Sequence, residues 1–420
     1  MKSTYPAVFR PSSDAPPQRF QTLDGWRGIC ALLVAVGHFN VDDHLRSVPF
    51  VMNSYLLVDF FFVLSGFVIS HAYAHRVRSI SDARFFVLRR FARLWPLHMT
   101  ILLAYLCLYL VTLRLPGLTT GPHSASSFVS NIFMLHAFGL HDSLTWNYPS
   151  WSISAEFYTY LAFAALAGGC LIRLVPCAVI SGVGFLALLF LEPKLMHTEC
   201  DITTSFRCLY GFFAGAFVWR LSRSFSVAAA WATPLELAFV GATGLLMVYG
   251  GTLWEMAGPV LFAGTVWVFS KQGGLLSRLI GSTPISTLGT WSYSIYMVHA
   301  FIGLLVYNAF ATVASKFGID VFHDGRLSIG TYTDALTLTY VCVVIAVSAI
   351  SYRMIELPGQ RFIPQAGALI SCAWRLLPLM VSRICARLPA LIWTRPDQAT
   401  WLPLRNWATN SSARWRRNRM

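Results

Sequence analysis

Charge is what this sequence has least of. Asp, Glu, Lys and Arg make up 12% of its residues, half of the roughly 25% usual in a soluble domain. A large soluble core does not account for so deep a deficit. The formal net charge of +14 would point a soluble protein toward nucleic acid. In a membrane protein the placement of Lys and Arg matters more than their sum, because they collect in cytoplasmic loops. Paired cysteines are missing as well. The nine cysteines show neither metal-ligand nor disulfide-like spacing, and Cys30, Cys107, Cys170 and Cys342 sit in or beside apolar runs as small hydrophobes. There is no cleavable signal peptide in view: residues 1–22 are rich in Pro and Ser without an apolar core, and are expected to form a disordered cytosolic leader. No internal repeat is evident.

What remains is apolar. Hydrophobic residues make up 56% of the chain and aromatics 15%, the latter suited to membrane-interface belts. Ten stretches approach the roughly 20 residues needed to span a bilayer: 27–43, 51–73, 95–115, 149–170, 172–191, 203–221, 233–250, 254–270, 288–311 and 333–354. The expected fold is all-α, a polytopic transmembrane helix bundle of about ten spans over residues 23–362. Residues 363–420 read as a basic amphipathic cytosolic tail. Its segment 366–393 is broken by Arg375, Arg383, Arg387 and prolines, and suits the membrane surface better than an eleventh span. The Arg- and Trp-rich end suits anionic lipid head groups.

The charges test this layout. With the N-terminus inside and spans alternating, 26 of the 32 Lys and Arg fall on the cytoplasmic side. That bias predicts both termini in the cytoplasm and a multi-pass protein of the cell's inner membrane. Adding or dropping one early span would put the basic stretch 74–94 or the basic tail outside.

Ionisable residues within spans are costly and are functional candidates by default. His38 follows Arg27 by eleven residues, about 16 Å along a helix. Asp59 falls about 12 Å below the outer face, Glu156 about 9–10 Å below it, and His299 about 16 Å up from the inner face. These four are expected to converge in the middle or outer-middle of the membrane. An imidazole beside a carboxylate is what a general base requires. On the cytoplasmic side, Arg90 and Arg93 share one helix face, with Arg27 at the same level. Arginine suits bidentate phosphate recognition.

Six stretches, in order, resemble the membrane-bound acyltransferase-3 family. Leu23-Asp24-Gly25-Trp26-Arg27-Gly28 leading to His38 is similar to its first helix, and Val58–Ser70 to its second. Arg89–His98 contains the Arg-x-x-Arg of the third. Asn147–Leu161 resembles the Trp-Ser-x-Ser-x-Glu helix, Gly289–Ala300 the Tyr-Ser-Ile-Tyr-x-x-His helix, and Arg353–Phe362 the closing Glu-x-Pro segment. One departure is that Glu156 is followed by Phe157 rather than a second glutamate.

The resemblance implies O-acylation of sugars or other hydroxyl compounds from acyl-CoA, with acetyl as the default group. No tightly bound cofactor, metal or nucleic acid is expected. His38 would be the base, and Asp59 or Glu156 would orient it or the acceptor. Arg27, Arg90 and Arg93 would bind the donor phosphates, and Ser65, Trp151, Tyr158 and His299 would line the acceptor path. Nothing after Phe362 is expected to form an extracytoplasmic hydrolase-like domain, so a partner delivering the acceptor would be a separate chain. The rival reading is a proton-coupled transporter with a midplane His/Asp/Glu site. It lacks an inverted repeat and gives the basic pair no role.

Overall fold

The computed structural model describes residues 19–366 apart from 116, 117, 119, 122, 192–202 and 251. The chain divides after Gln365, and the unit up to that residue is described here. Most of the expected leader and nearly all of the expected tail lie outside the described residues.

The unit is built of helices. In chain order they are α1 (Gln21–His38), α2 (Pro49–Met52), α3 (Leu57–Tyr73), α4 (Ile80–Thr112), α5 (Ala125–Ile132), α6 (Trp151–Gly168) and α7 (Leu174–Phe190). Then come α8 (Thr203–Ser222), α9 (Ala229–Tyr249), α10 (Thr252–Ser270), α11 (Leu275–Ile280), α12 (Thr283–Phe317) and α13 (Thr333–Ser351). The strands among the described residues are a short antiparallel pair, β1 (Phe322–His323) and β2 (Arg326–Leu327). Each of the ten apolar stretches falls on one long helix, with α2 and α3 together carrying the second. Among the described residues, five helical segments are long and apolar enough to cross a membrane: Pro49–Tyr73, Ile80–Thr112, Ala229–Tyr249, Thr283–Phe317 and Gly330–Ala366. The protein is all-α in class and membrane-embedded in character.

Two helix ends differ from the sequence reading. The first span was expected to run to residue 43, but α1 stops at His38 and Phe39 is extended. Val41 forms a bridge to Leu327 and Asp42 donates to the Leu327 carbonyl at 2.9 Å. Backbone engaged with a strand cannot also continue a helix. Arg46 then folds back to donate to the carbonyls of Gly37 (2.6 Å) and Phe39 (3.1 Å) at the frayed terminus, where a cation also meets the negative end of the helix dipole. The third span was expected from residue 95, but α4 begins at Ile80. Ser79 is its N-cap, accepting from the Asp82 amide at 3.1 Å and donating to the Asp82 carboxylate at 2.7 Å, a reciprocal cap that starts a helix regardless of hydropathy. Arg84, Arg89, Arg90 and Arg93 are therefore helical residues rather than loop residues.

Glycines bring two helix pairs together. A Cβ on Gly289 of α12 would run into the Asp24 carbonyl of α1, and one on Gly28 would meet the Gly289 nitrogen at 2.6 Å. Further along, Tyr340 of α13 joins the same two helices, its hydroxyl lying 3.3 Å from the Ala35 carbonyl and 3.0 Å from the His299 carbonyl. The contacts advance together along both chains, so α1 and α12 run parallel. α3 and α8 also pack through glycines and run parallel: Asp59 pairs with Arg207, a Cβ on Gly211 would meet Phe62 at 3.0 Å, and one on Gly215 would meet the Phe67 nitrogen at 2.9 Å. Lipid is as apolar as leucine, so close van der Waals approach rather than water exclusion associates such helices. After α13 the chain passes through a π-helical turn, Tyr352–Glu356, a local irregularity often found at functional positions. It leaves the Glu356 side chain buried inside the bundle.

Candidate active site

A cavity of about 110 Å³ opens between α1, α3, α4, α6 and α12. Its polar wall comes from residues that are helical neighbours of one another. Arg90 and Arg93 are one turn apart on α4, and Glu156 and Tyr160 are one turn apart on α6. Arg27 of α1 completes the set. Three guanidinium groups thus line the space against one carboxylate.

Each is held differently. Arg27 donates to Asp24 at 3.3 Å. The Arg90 guanidinium lies over the rings of Tyr73, Phe86 and Tyr160, at 5.3, 5.9 and 6.0 Å, and donates to the Tyr73 hydroxyl at 3.2 Å. Arginine makes such cation–π contacts more often than lysine. The carboxylates whose fields act on Arg93 are those of Glu356, Glu156 and Asp24. Glu356 itself accepts from Ser294 and from Gln360, each at 3.1 Å. Glu156 accepts from the Tyr160 hydroxyl at 2.6 Å, and Ser65 lies 3.0 Å from that hydroxyl. The carboxylate is therefore anchored through a Ser–Tyr–Glu chain on the cavity wall, and the arrangement suits an anionic ligand with a hydrogen-bonded carboxylate opposite it.

Tyr296 and Phe61 close one side, ring to ring at 6.0 Å. The Tyr296 hydroxyl donates to the Pro149 carbonyl and accepts from Ser152, both at 2.8 Å. On the other side of Tyr296 stands a pair of imidazoles. The His299 ring is 5.7 Å from Tyr296 and 5.4 Å from the His38 ring, which is in turn 5.4 Å from Tyr148. Neither histidine lines the cavity. The Nδ1–H of His38 donates to the Val34 carbonyl at 2.8 Å and that of His299 to the Tyr296 carbonyl at 2.7 Å. A carbonyl can only accept, so both rings carry their proton on Nδ1 and a lone pair on Nε2.

The four ionisable residues expected to converge are thus divided among three places. His38 and His299 come together, and Glu156 faces the arginines. Asp59 accepts from Arg207 of α8 at 3.0 Å, both side chains almost wholly buried. The group that orients His38 is the Val34 carbonyl, not a carboxylate. Trp151 belongs with the ion pair, its ring 5.4 Å beneath the Arg207 guanidinium. Tyr158 faces away from the cavity and donates to the Phe133 carbonyl at 3.1 Å. Of the residues assigned to the acceptor path, Ser65 alone lines the cavity. Among the described residues no group of three or more His, Cys, Asp or Glu side chains could hold a metal ion.

Sequence reasoning passed over Tyr160, Tyr296, Arg207, Tyr340 and Glu356. Tyr160 was findable, since a tyrosine one turn after Glu156 shares its face. Tyr296 and Glu356 stand in stretches already quoted for the resemblance but were given no role, while Arg207 and Tyr340 act across the bundle, where no local spacing signals them.

Residues 20–353, most of the chain, match the acyltransferase domain that defines the acyltransferase-3 family. A Rhizobium radiobacter protein described as protein 2 in the picA locus is 34% identical over 165 residues, 36% of this chain and 84% of that one. The peptidoglycan O-acetyltransferase OatA of Listeria monocytogenes is 26% identical over 317 residues, 66% of this chain and 48% of the relative. The acyltransferase MdmB of Streptomyces mycarofaciens is 30% identical over 161 residues, 35% of this chain and 40% of the relative. The chain thus spans half or less of the latter two. No solved structure matches. None of these relatives is described as a transporter, and that reading has no support.

Proposed function

The chain belongs to the acyltransferase-3 family, and from that premise we propose that it moves an acyl group, by default acetyl, from cytosolic acyl-CoA to a hydroxyl of an extracytoplasmic carbohydrate. The observation that carries this reading is the cavity: three guanidinium groups converge in it, and Tyr296 on its wall neighbours His299, whose ring is next to that of His38. Ligand pockets for whole small molecules usually run to about 300–1,000 Å³. A cavity of about 110 Å³ takes the arm of such a donor and leaves its nucleotide outside. Arg27, Arg90 and Arg93 hold the phosphates, and the thioester advances toward Tyr296.

His38 Nε2 takes the proton of the acceptor hydroxyl as its oxygen attacks the thioester carbonyl. The carbon–sulfur bond breaks and the thiolate leaves. Glu156, fixed by Tyr160, orients the incoming group. The carbohydrate acceptor is favoured by the printed activity of the Listeria relative. Ten alternating spans in the inner membrane, with both termini cytoplasmic, are supported by the parallel pairs. Spans one and nine (α1 and α12) must run the same way, as must spans two and six (α3 and α8).

The test is transfer of label from radiolabelled acetyl-CoA to a glycan by protein in liposomes, wild type beside His38→Ala. Transfer by wild type that vanishes in the variant is the expected result. Equal transfer by both removes His38 from its role, and solute uptake without transfer sinks the enzyme reading.

A further inference from the structure

The cavity is not the same along its length. Two sets of contacts fix two levels in it. At one, the Arg90 guanidinium lies over the Tyr160 ring, and the Tyr160 hydroxyl is 3.0 Å from Ser65. At the other, the Tyr296 hydroxyl accepts from Ser152 at 2.8 Å, and the Tyr296 ring stands 6.0 Å from that of Phe61, edge to face. Tyr160 and Ser152 are eight residues apart on α6, about 12 Å along the helix. Ser65 and Phe61 advance the same way along α3. Glu156 lies between the levels, one turn from each end. The arginine level is polar. The Tyr296 level is apolar, its wall completed by Val58, Phe62 and Ile153, all three buried.

Two members of that wall cannot retreat. Tyr296 is tied through its hydroxyl to Ser152 and Pro149. Phe62 is backed by the Trp151 ring at 6.1 Å and by α8, where a Cβ on Gly211 would come within 3.0 Å of the Phe62 Cβ. Side chains packed in this way do not admit an added methylene without strain. Phe61 is only half-buried, and its ring takes up the space opposite Tyr296. Glu156, which accepts from the Tyr160 hydroxyl at 2.6 Å, presents a carboxylate to any group that passes between the levels.

We propose that the Tyr296 level is the acyl subsite, that it takes a short, uncharged acyl group, and that Phe61 sets the limit of chain length. The inference rests on the acyl-transfer reading. With the donor phosphates at the arginines, the acyl end lies among Val58, Phe61, Phe62 and Ile153. An acetyl methyl fits against them. Each further methylene has to displace Phe61 or press on Tyr296, and one methylene too many in an apolar pocket is worth about 10- to 200-fold in discrimination. A dicarboxylic acyl group such as succinyl would set a second carboxylate beside Glu156, inside a bundle where the low dielectric strengthens the repulsion of like charges.

The test uses the full chain in liposomes with one glycan acceptor and four donors, acetyl-, propionyl-, butyryl- and succinyl-CoA, each read as kcat/KM. Wild type should fall about tenfold or more per added methylene and leave succinyl-CoA unused. Phe61→Ala should lose some acetyl transfer and gain butyryl transfer, so that the butyryl-to-acetyl ratio rises about tenfold or more. Phe61→Trp should lower the propionyl-to-acetyl ratio, and Glu156→Gln should raise the succinyl-to-acetyl ratio whatever its overall rate. A ratio taken within one preparation is not moved by partial misfolding. Should Phe61→Ala fail to fold, Phe61→Leu carries the same expectation at smaller amplitude. A wild type that uses acetyl and butyryl donors equally, or a Phe61 variant that slows with all donors in proportion, refutes the assignment. Binding of the same four thioesters, measured by calorimetry in detergent, separates the inference from its premise. Affinity that falls with chain length and is restored by Phe61→Ala, in a protein that transfers none of them, keeps the subsite and discards acyl transfer. Transfer of all four at one rate does the reverse, and binding of none discards both.

Discussion

At the scale of single residues, the site depends on partners that fix one state of a side chain. Arg90 is sandwiched among three aromatic rings, so charge alone is not enough there. Arg90→Lys should raise KM for the acyl donor about tenfold, because an ammonium neither stacks nor donates from a planar fork; a KM equal to wild type would remove the stack from donor binding. The Asp59–Arg207 pair gives a stability prediction. Both side chains are nearly inaccessible, so removing either alone strands a buried charge and should cost about 3–5 kcal/mol. Replacing both, as Asp59→Leu with Arg207→Met, should restore much of the loss, as read by thermal unfolding in detergent. Additive losses would show that the two do not act as a pair. Arg27, Arg90, Arg93 and Glu156 were legible in the sequence because a charge inside an apolar run stands out and a turn's spacing puts two of them on one face. That Asp59 answers to Arg207, 148 positions away, was not legible, since depth counted along separate helices says nothing about which helix is next to which.

At the scale of elements, apolar runs located every long helix, but hydropathy marked where lipid is tolerated rather than where a helix begins and ends. The Ser79–Asp82 cap carries α4 down through its arginines, and the Leu327 strand stops α1 at His38. Both are hydrogen-bonding events that a hydropathy profile does not contain. Helix contacts give the sharper test. Gly289→Ala should separate α1 from α12, cost about 1–3 kcal/mol or more through overpacking, and reduce acyl transfer further than stability alone accounts for. Gly241 of α9 has no atom within 4 Å of where its Cβ would stand, and Gly241→Ala should leave transfer and the unfolding temperature near wild type. If the two alanine variants behave alike, close packing of α1 on α12 is not what assembles the site.

At the scale of the whole molecule, the proposed ten-span layout would set the two ends of the bundle against opposite solutions. The turn after α3 that carries Arg78 should be cytoplasmic, and the β1–β2 turn at Asp324–Gly325 extracytoplasmic. Single cysteines introduced at positions 78 and 324 in a background without native cysteines should react with an impermeant thiol reagent from opposite sides of sealed vesicles. Labelling of both from one side would reject the ten-span layout. The overall class was readable because a bilayer asks the same of every segment that crosses it, a long apolar helix. The site was readable only in halves, because its two halves are joined by Tyr296, whose hydroxyl ties α12 to the loop before α6 through Pro149.

His38 lies ten residues beyond Gly28, and His299 ten residues beyond Gly289. Two parallel rods pinned at one point and graduated equally behave as a matched ruler. One residue inserted in either helix turns its histidine by about 100° and withdraws it from the other. A full turn inserted in both would keep the imidazoles facing each other but carry them about 5–6 Å farther from the arginines. On the proposed reading the offset would set how long a donor arm the protein can use, and a doubly lengthened variant should require a longer arm between phosphate and thioester.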